Sequence, residues 1–320
     1  MNIRNYTQKE EQAVVDLWNR ALPFDGIDVS KFRRQAILDE NFDPELAFVA
    51  EEEGRITGFL FGTKRRFPYL ERGLEPDRGW INVLFVDPDY QRRGIGSCLL
   101  KACEEKLAAL GCKNITLGAY SPNYFFWGID PENHANAAAF FEKHGYQAQE
   151  KHYSMAKDLH GYQIPAPILE KKAAAEAKGY RFLPFDYSYT LELLEFLRTE
   201  FGGGWKRNAL IAMQEGTAEN LIWLILAPEG SICGFCMRAI DRNPMRFGPI
   251  GIAASRRNEG LGTILLDLQC LSMCQKGIYH MYFVTTDDPG RRYYERQGLH
   301  VFRTFVTYKK MLTQKEGEIK

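Results

Sequence analysis

Apolar and polar positions break the chain around residue 90 into a strand, a loop and a helix. Residues 81–86 form an unbroken apolar run, and Pro88 just beyond it cannot donate to a sheet ladder, so the run reads as a buried strand. Leu99, Leu100, Cys103 and Leu107 recur at helical spacing, which starts a helix near Gly94. Upstream, residues 3–6 read as a strand and 10–22 as a helix carried by Val14, Leu17, Trp18 and Leu22. Ser30 is the expected cap of a second helix running to about residue 40. Residues 47–52 and 56–64 read as two strands joined at Glu53-Gly54-Arg55, a hairpin signal. Downstream come a strand over 114–120, an aromatic loop, a helix over 137–144 stopped by Gly145, and a strand over 146–157.

Pro165 and Pro167 then introduce an exposed helical run over about 168–178, where the expected domain boundary falls. After it the pattern restarts. Residues 180–184 read as strand, 189–201 and 205–214 as helices, and 220–227 with 231–240 as a hairpin around Pro228-Glu229-Gly230. A strand over 247–253, a helix over 263–276 and a strand over 278–286 follow, and Asp288 before Pro289 marks one more helix start. The expected division is residues 1–160, a linker over 161–178, and residues 179–320.

The turn between strand and helix carries the chemistry. A helix N-terminus presents unpaired N–H groups and the positive end of its dipole, and glycine lets a ligand approach the backbone closely, an arrangement that suits a phosphate. Arg92 and Arg93 add positive charge. A P-loop is excluded, because no Gly-Lys-Ser/Thr occurs in the chain, and Gly94-Ile95-Gly96 lacks the third glycine of a dinucleotide turn. Gln91-Arg92-Arg93-Gly94-Ile95-Gly96 does fit every fixed position of Gln/Arg-x-x-Gly-x-Gly/Ala. That stretch resembles the pyrophosphate loop of the GCN5-related N-acetyltransferases (GNAT). Arg257-Asn258-Glu259-Gly260-Leu261-Gly262 fits the same pattern. The family's second signature, Asn-x-x-Ala-x-x-x-Tyr-x-x-x-Gly-Phe, is approximated twice. The first copy keeps Ala137, Gly145 and Tyr146 but holds His134 and Phe141 at the Asn and Tyr positions, and the second keeps Tyr294 and Gly298. From Gly94 to Gly145 is 51 positions and from Gly260 to Gly298 is 38, and the difference of 13 falls in the aromatic loop.

The resemblance implies an α/β (α+β) chain of two tandem GNAT acyl-CoA N-acyltransferase folds, each a mixed, mostly antiparallel sheet flanked by helices. It is similar to the two-domain bacterial subgroup that includes mycothiol synthase. It further implies acetyl-CoA as cosubstrate and an amine acceptor, by direct attack in a ternary complex. The implied cofactor residues are Phe85, Val86, Gln91, Arg92, Arg93, Gly94, Ile95, Gly96 and Ser97 in the first half. In the second they are Ile250, Ile252, Arg257, Asn258, Gly260, Leu261, Gly262 and Thr263. A backbone N–H on the strand before the loop polarises the thioester, and the tyrosine of the second signature often protonates the departing thiolate. Tyr294 is the implied acid, while Phe141 has no proton to give. Tyr120, Tyr124 and His134 are substitutes in the first half, each read first as a loop aromatic or surface histidine. Glu259 among phosphate-binding groups repels a pyrophosphate unless it turns to solvent. Neither strand before a loop carries a glutamate base, so proton removal through water is the default. The second half is therefore the expected seat of chemistry, and the first a better phosphate loop with a poorer acid.

Lys plus Arg and Asp plus Glu both number 41, so the net charge is zero and no nucleic-acid-binding face is indicated. That also weakens aminoacyl transfer from tRNA as a reading. The other reading is an acyl-CoA-binding regulatory protein with inactive copies. No apolar run reaches the ~18 residues of a membrane helix, and the N-terminus lacks the apolar core of a signal peptide, so a cytoplasmic setting is expected. The seven cysteines are scattered, and Cys233 and Cys236 fall inside a strand, so neither a redox pair nor a metal site is expected. A homodimer is left open.

Overall fold

The computed structural model describes residues 1–312. In chain order the elements begin with β1 (Asn2–Asn5), α1 (Glu11–Ala21), α2 (Val29–Phe32), β2 (Ala47–Glu52), β3 (Arg55–Thr63) and β4 (Arg78–Val86). Next come α3 (Ile95–Ala109), β5 (Asn114–Leu117), α4 (Ala135–Lys143), β6 (Gln147–Asp158), α5 (Ala166–Ala177) and β7 (Arg181–Pro184). The remainder are α6 (Thr190–Glu200), α7 (Gly203–Gln214), α8 (Ala218–Leu221), β8 (Ile222–Leu226), β9 (Ile232–Arg238) and β10 (Phe247–Ile252), then α9 (Leu261–Gln275), β11 (His280–Phe283), α10 (Asp288–Arg296) and β12 (His300–Met311).

The chain forms two compact units that do not coincide with its two sequence halves. One comprises Met1–His152 together with the segment beginning at Arg303, and the other Tyr153–Phe302. The expected boundaries at 160 and 179 are thus displaced, and residues 313–320 of the expected second domain lie outside the described residues. The cause is an exchange of closing strands. In the first unit, β12 pairs antiparallel with β5, from Tyr308↔Leu117 to Met311↔Asn114. In the second, the latter part of β6 pairs antiparallel with β11, from Met155↔Phe283 to Asp158↔His280. The helical run at the expected linker, α5, packs in the second unit, where Ala175 is buried in the core.

In the first unit, β1 to β4 form antiparallel neighbours and β4 then pairs parallel with β5. Period-two alternation sends Leu60 and Ile81 to one face, where they meet Leu99, Leu100, Cys103 and Leu107 of α3. It sends Phe59, Phe61, Val83 and Phe85 to the other, where Val14, Trp18 and Phe32 cover them. The second unit repeats the design with the sheet β10-β9-β8-β7, α9 on its core and α6 and α7 beside it. One expected cap moves by two residues. Asp28, not Ser30, caps α2, accepting from the Lys31 N–H at 2.6 Å, and the helix relaxes at once into a π-turn over Arg33–Ile37. α10 starts at Asp288 as expected, capped by Asp287, which accepts from the Gly290 N–H at 2.8 Å. The short α8 and the closing strand β12 are not among the elements expected from the sequence.

Candidate active site

Both glycine loops are built the same way. Gly94 at φ 82° and Gly260 at φ 79° stand in the left-handed region directly before α3 and α9, where any residue with a Cβ is strained. Two positions earlier Arg92 (φ 63°) and Asn258 (φ 68°) share that conformation. The Gln91 side-chain amide donates to the Val86 carbonyl at 3.3 Å, and Arg257 Nε donates to the Ile252 carbonyl, also at 3.3 Å. The residues at the Gln/Arg position therefore tie the loop back to its strand. Buried Asp87 anchors the first loop further, receiving Arg20 at 2.7 Å and Arg55 at 2.9 Å. The first-turn amides of α3 and α9, from Ile95, Gly96 and Ser97 and from Leu261, Gly262 and Thr263, face outward from these turns with no helical partner.

Beside each loop the sheet opens. β4 and β5 are paired only from Arg78↔Asn114 to Ile81↔Leu117, after which Gly118 donates to the Ile81 carbonyl and β5 turns away. β4 runs on to Val86. The Asp87 N–H donates toward β3, to the Thr57 carbonyl, so by alternation the amides of Leu84 and Val86 face the opening. In the second unit β10 and β11 meet in a single bridge, Arg246 with Tyr282. The Ala253 N–H donates toward β9, to the Cys233 carbonyl, so Ile250 and Ile252 face the opening. Phe85 does not belong to this edge. Its ring is buried 5.4 Å from Trp18 and 5.6 Å from Phe59, and its amide points toward β3. The sequence missed Leu84, which alternation places on the edge once the partner strand is known.

The side chains around the two loops differ. Arg93 Nη2 donates to the Asp89 carbonyl at 3.0 Å and its guanidinium lies 4.8 Å over the Tyr90 ring. Ser97 is hydrogen-bonded to His144 Nε2 at 3.0 Å. In the second unit Glu259 is exposed, and its carboxylate turns to Tyr180. It accepts the Tyr180 hydroxyl at 2.7 Å, in a cluster where Arg256 pairs with Glu229 at 2.9 Å. The hydrogen bond to Glu259 heads the causes that raise the Tyr180 pKa.

The helices of the second signature lie against the loops. Phe140 packs on Gly96, and the hydroxyl of Tyr293 comes close to Gly262 in the matching place. Phe141 is buried in the core beside Tyr146 at 5.3 Å. Tyr294 packs on Phe283 at 4.6 Å and Tyr293 at 5.0 Å, within the cluster that includes Ile250 of the open edge. Burial raises its pKa, so the hydroxyl keeps its proton through the neutral range. Of the first unit's substitutes, Tyr120 is buried, donating to Asp39 at 2.9 Å and accepting from Asn41 at 3.0 Å. Tyr124 packs edge-on against Trp127 at 4.9 Å. His134 is not a surface histidine. Its side chain is 19% exposed and hydrogen-bonded to Asp25 at 2.8 Å. Arg303 of β12 reaches both Asp25 and Asp130. No sequence signal joins Asp25, Asp130, His134 and Arg303, since the last arrives with the exchanged strand.

Glycine-capped helix turns beside a parted sheet edge, met twice, give the chain a tandem two-unit fold. Residues 12–146 match the profile of the acetyltransferase (GNAT) family. An acetyltransferase of Pectobacterium atrosepticum is 34% identical over 120 residues, covering 37% of this chain and 74% of the relative. One of Sodalis glossinidius is 32% identical over the same shares. The chain belongs to the acetyltransferase (GNAT) family, whose members in general use acetyl-CoA and an amine acceptor. Among solved structures, the GCN5-related glucosamine N-acetyltransferase region of a fungal multi-domain GH3 β-N-acetylglucosaminidase matches 96% of this chain and 38% of its own, at TM-score 0.78 and 20% identity. A tandem GNAT protein from the clavulanic acid biosynthesis pathway covers 97% of this chain and 98% of its own, at TM-score 0.63 and 15% identity. At these identities the likeness is one of fold. Among the described residues no helix is long and apolar enough to cross a membrane.

Proposed function

We propose that this chain is a cytoplasmic N-acetyltransferase that moves an acetyl group from acetyl-CoA to a primary amine of a small molecule or peptide, by direct attack in a ternary complex. The observation that carries the reading is the pairing, in each unit, of a glycine-capped helix N-terminus with outward-facing strand amides. The first-turn amides over 95–97 and 261–263 hold the pyrophosphate, with Gln91 and Arg257 fixing the turns and Arg92 and Arg93 adding charge. The amides of Leu84 or Val86, and of Ile250 or Ile252, polarise the thioester carbonyl and hold the charge that develops on its oxygen.

In the second unit Tyr294 supplies the proton to the departing thiolate. Its hydroxyl carries a proton at neutral pH, and its ring sits in one cluster with Ile250. The test is acetyl-CoA titration by calorimetry, followed by thiol release against a panel of amines. Two binding events and amine-dependent thiol release are expected. Binding without release to any amine overturns the transferase reading.

A further inference from the structure

In the first unit the hydroxyl of the glycine-capped helix is held by a histidine from a second element. Ser97 is the third residue of α3, and a helical Cβ tilts toward the N-terminus, which brings this hydroxyl over the first turn. Gly94 before the helix has no side chain to cap the turn, so Ser97 carries its first hydroxyl. His144, the C-cap of α4, sets Nε2 3.0 Å from Ser97 Oγ and Nδ1 2.8 Å from the Phe140 carbonyl. Its ring lies 4.5 Å from the Phe140 ring, which itself packs on Gly96. Ser97 and His144 are both half-buried, so the pair borders the turn and not the core.

These two hydrogen bonds fix the protons. A carbonyl only accepts, so Nδ1 carries the proton of the ring. In the neutral ring Nε2 then has only a lone pair, and the Ser97 hydroxyl donates to it. That commits the hydroxyl proton to the ring and leaves oxygen lone pairs to face a ligand, the wrong polarity for an anion. A second proton on the ring reverses the bond. Nε2–H donates to Ser97 Oγ, the hydroxyl proton is released to meet a phosphate oxygen, and a positive charge stands one hydrogen bond behind it.

The elements packed beside the ring carry Glu142 and Lys143 on α4, Lys101, Glu104 and Glu105 on α3, and Lys310 on β12, which passes close to Gly145. Glu142 accepts the Tyr308 hydroxyl at 3.1 Å, Glu104 pairs with Lys310 at 2.7 Å, Lys101 lies 3.8 Å from Glu105, and Lys143 is exposed. The loop adds Arg92 and Arg93. Among the described residues no carboxylate bonds to the imidazole, so its second proton has the turn as its outlet. The second unit has no counterpart. Counted from its own glycines, Thr263 and Gln297 stand where Ser97 and His144 stand in the first, and an amide side chain does not titrate.

We propose that His144 is a positioning residue for the pyrophosphate of acetyl-CoA: the first unit takes the cofactor with this ring protonated and the Ser97 hydroxyl released to the phosphate, so binding there takes up a proton and tightens as pH falls, while binding in the second unit does neither. This rests on the acetyl-CoA reading above. Proton and pyrophosphate favour the same arrangement, and by reciprocity each raises the affinity for the other by the same factor.

Calorimetric titration of the full chain with dephospho-coenzyme A from about pH 8 to about pH 5.5 tests this, across the range in which histidines ordinarily gain charge. The probe keeps the pyrophosphate but lacks the 3′-phosphate, a monoester that itself titrates near about pH 6. One binding event is expected to tighten about tenfold as pH falls, with proton uptake read from buffers of unlike ionisation enthalpy, and the other to stay level. His144→Gln is expected to abolish both the uptake and the tightening while leaving the other event as in the wild-type chain. Ser97→Ala is expected to lose the pH dependence as well, and Ser97→Thr to keep it. Equal proton uptake by the wild-type chain and His144→Gln, level affinity in the wild-type chain, or the full pH dependence in Ser97→Ala overturns the proposal and leaves the cofactor reading standing. No binding at any pH overturns both.

Discussion

The two units share a backbone device and differ in almost every side chain around it. In each, a left-handed glycine precedes the helix, a left-handed residue stands two positions earlier, and one long side chain bonds back to the strand carbonyl at 3.3 Å. Around this frame one loop carries Arg92 and Arg93, the other Asn258 and a glutamate held by Tyr180. One second-signature helix offers Phe141, the other Tyr294. Where the first unit packs Trp18 on Phe85, the second packs stacked Phe201 and Trp205, 4.4 Å apart, against Gly251. Phosphate recognition through main-chain amides tolerates such drift, because it asks of the side chains only that the turn survive. Proton transfer does not tolerate it, since it needs one particular group in reach. On the proposed function, the halves remain alike at the loops that would bind the cofactor and diverge at the residues that would move protons.

The comparison breaks most visibly at Arg303. Arg303→Met leaves Asp25 and Asp130 buried without a cation and is expected to cost about 3–5 kcal/mol. Arg256→Met in the second unit removes an exposed pair with Glu229 and should stay within about 1 kcal/mol. Chemical denaturation of the two variants measures the contrast, and equal losses would refute it. Next in size is Tyr294→Phe. It should lower turnover about tenfold or more while acetyl-CoA binds as before, and Phe141→Tyr should leave turnover unaltered. Rate measurements on the pair test whether the acid belongs to the second unit alone.

The smallest effect concerns acid. Burial opposes it, but Arg303 and Asn133 hold the Asp130 carboxylate below its usual range, as His134 and Arg303 hold Asp25. A carboxylate with a depressed native pKa stabilises the fold above its unfolded value of about 3.9, and that stability is lost as pH falls through the native value. Asp25→Asn should flatten the loss of stability of the first unit below about pH 4 and leave that of the second unchanged. Hydrogen exchange followed unit by unit from pH 6 to 3 reads this out.

Much of this was legible in the sequence, for physical reasons that also mark the limits. The glycine loops and their helices show because strand, turn and helix are neighbours in the chain and their signals are local. The sequence does not tell Phe85 from Leu84 at the edge, because which amides face outward depends on the partner strand, and Asp87 N–H to Thr57 carbonyl decides that across 30 positions. His134 looks like a surface residue from sequence because its partner Asp25 lies 109 positions away. The exchange of closing strands left no trace at all. β6 and β12 follow equivalent helices and read alike, so periodicity has no means of assigning either to its sheet.

That exchange also sets an order of events during synthesis. The first unit lacks β12, and with it Arg303, until the whole second unit has been synthesised. At about 5–20 residues per second, the second unit occupies the ribosome for several seconds or more while β5 waits for its neighbour. The half that begins first therefore finishes last. The chain consequently cannot be cut into two self-sufficient enzymes at its linker, and a gene fission there would produce two fragments that each lack a closing strand.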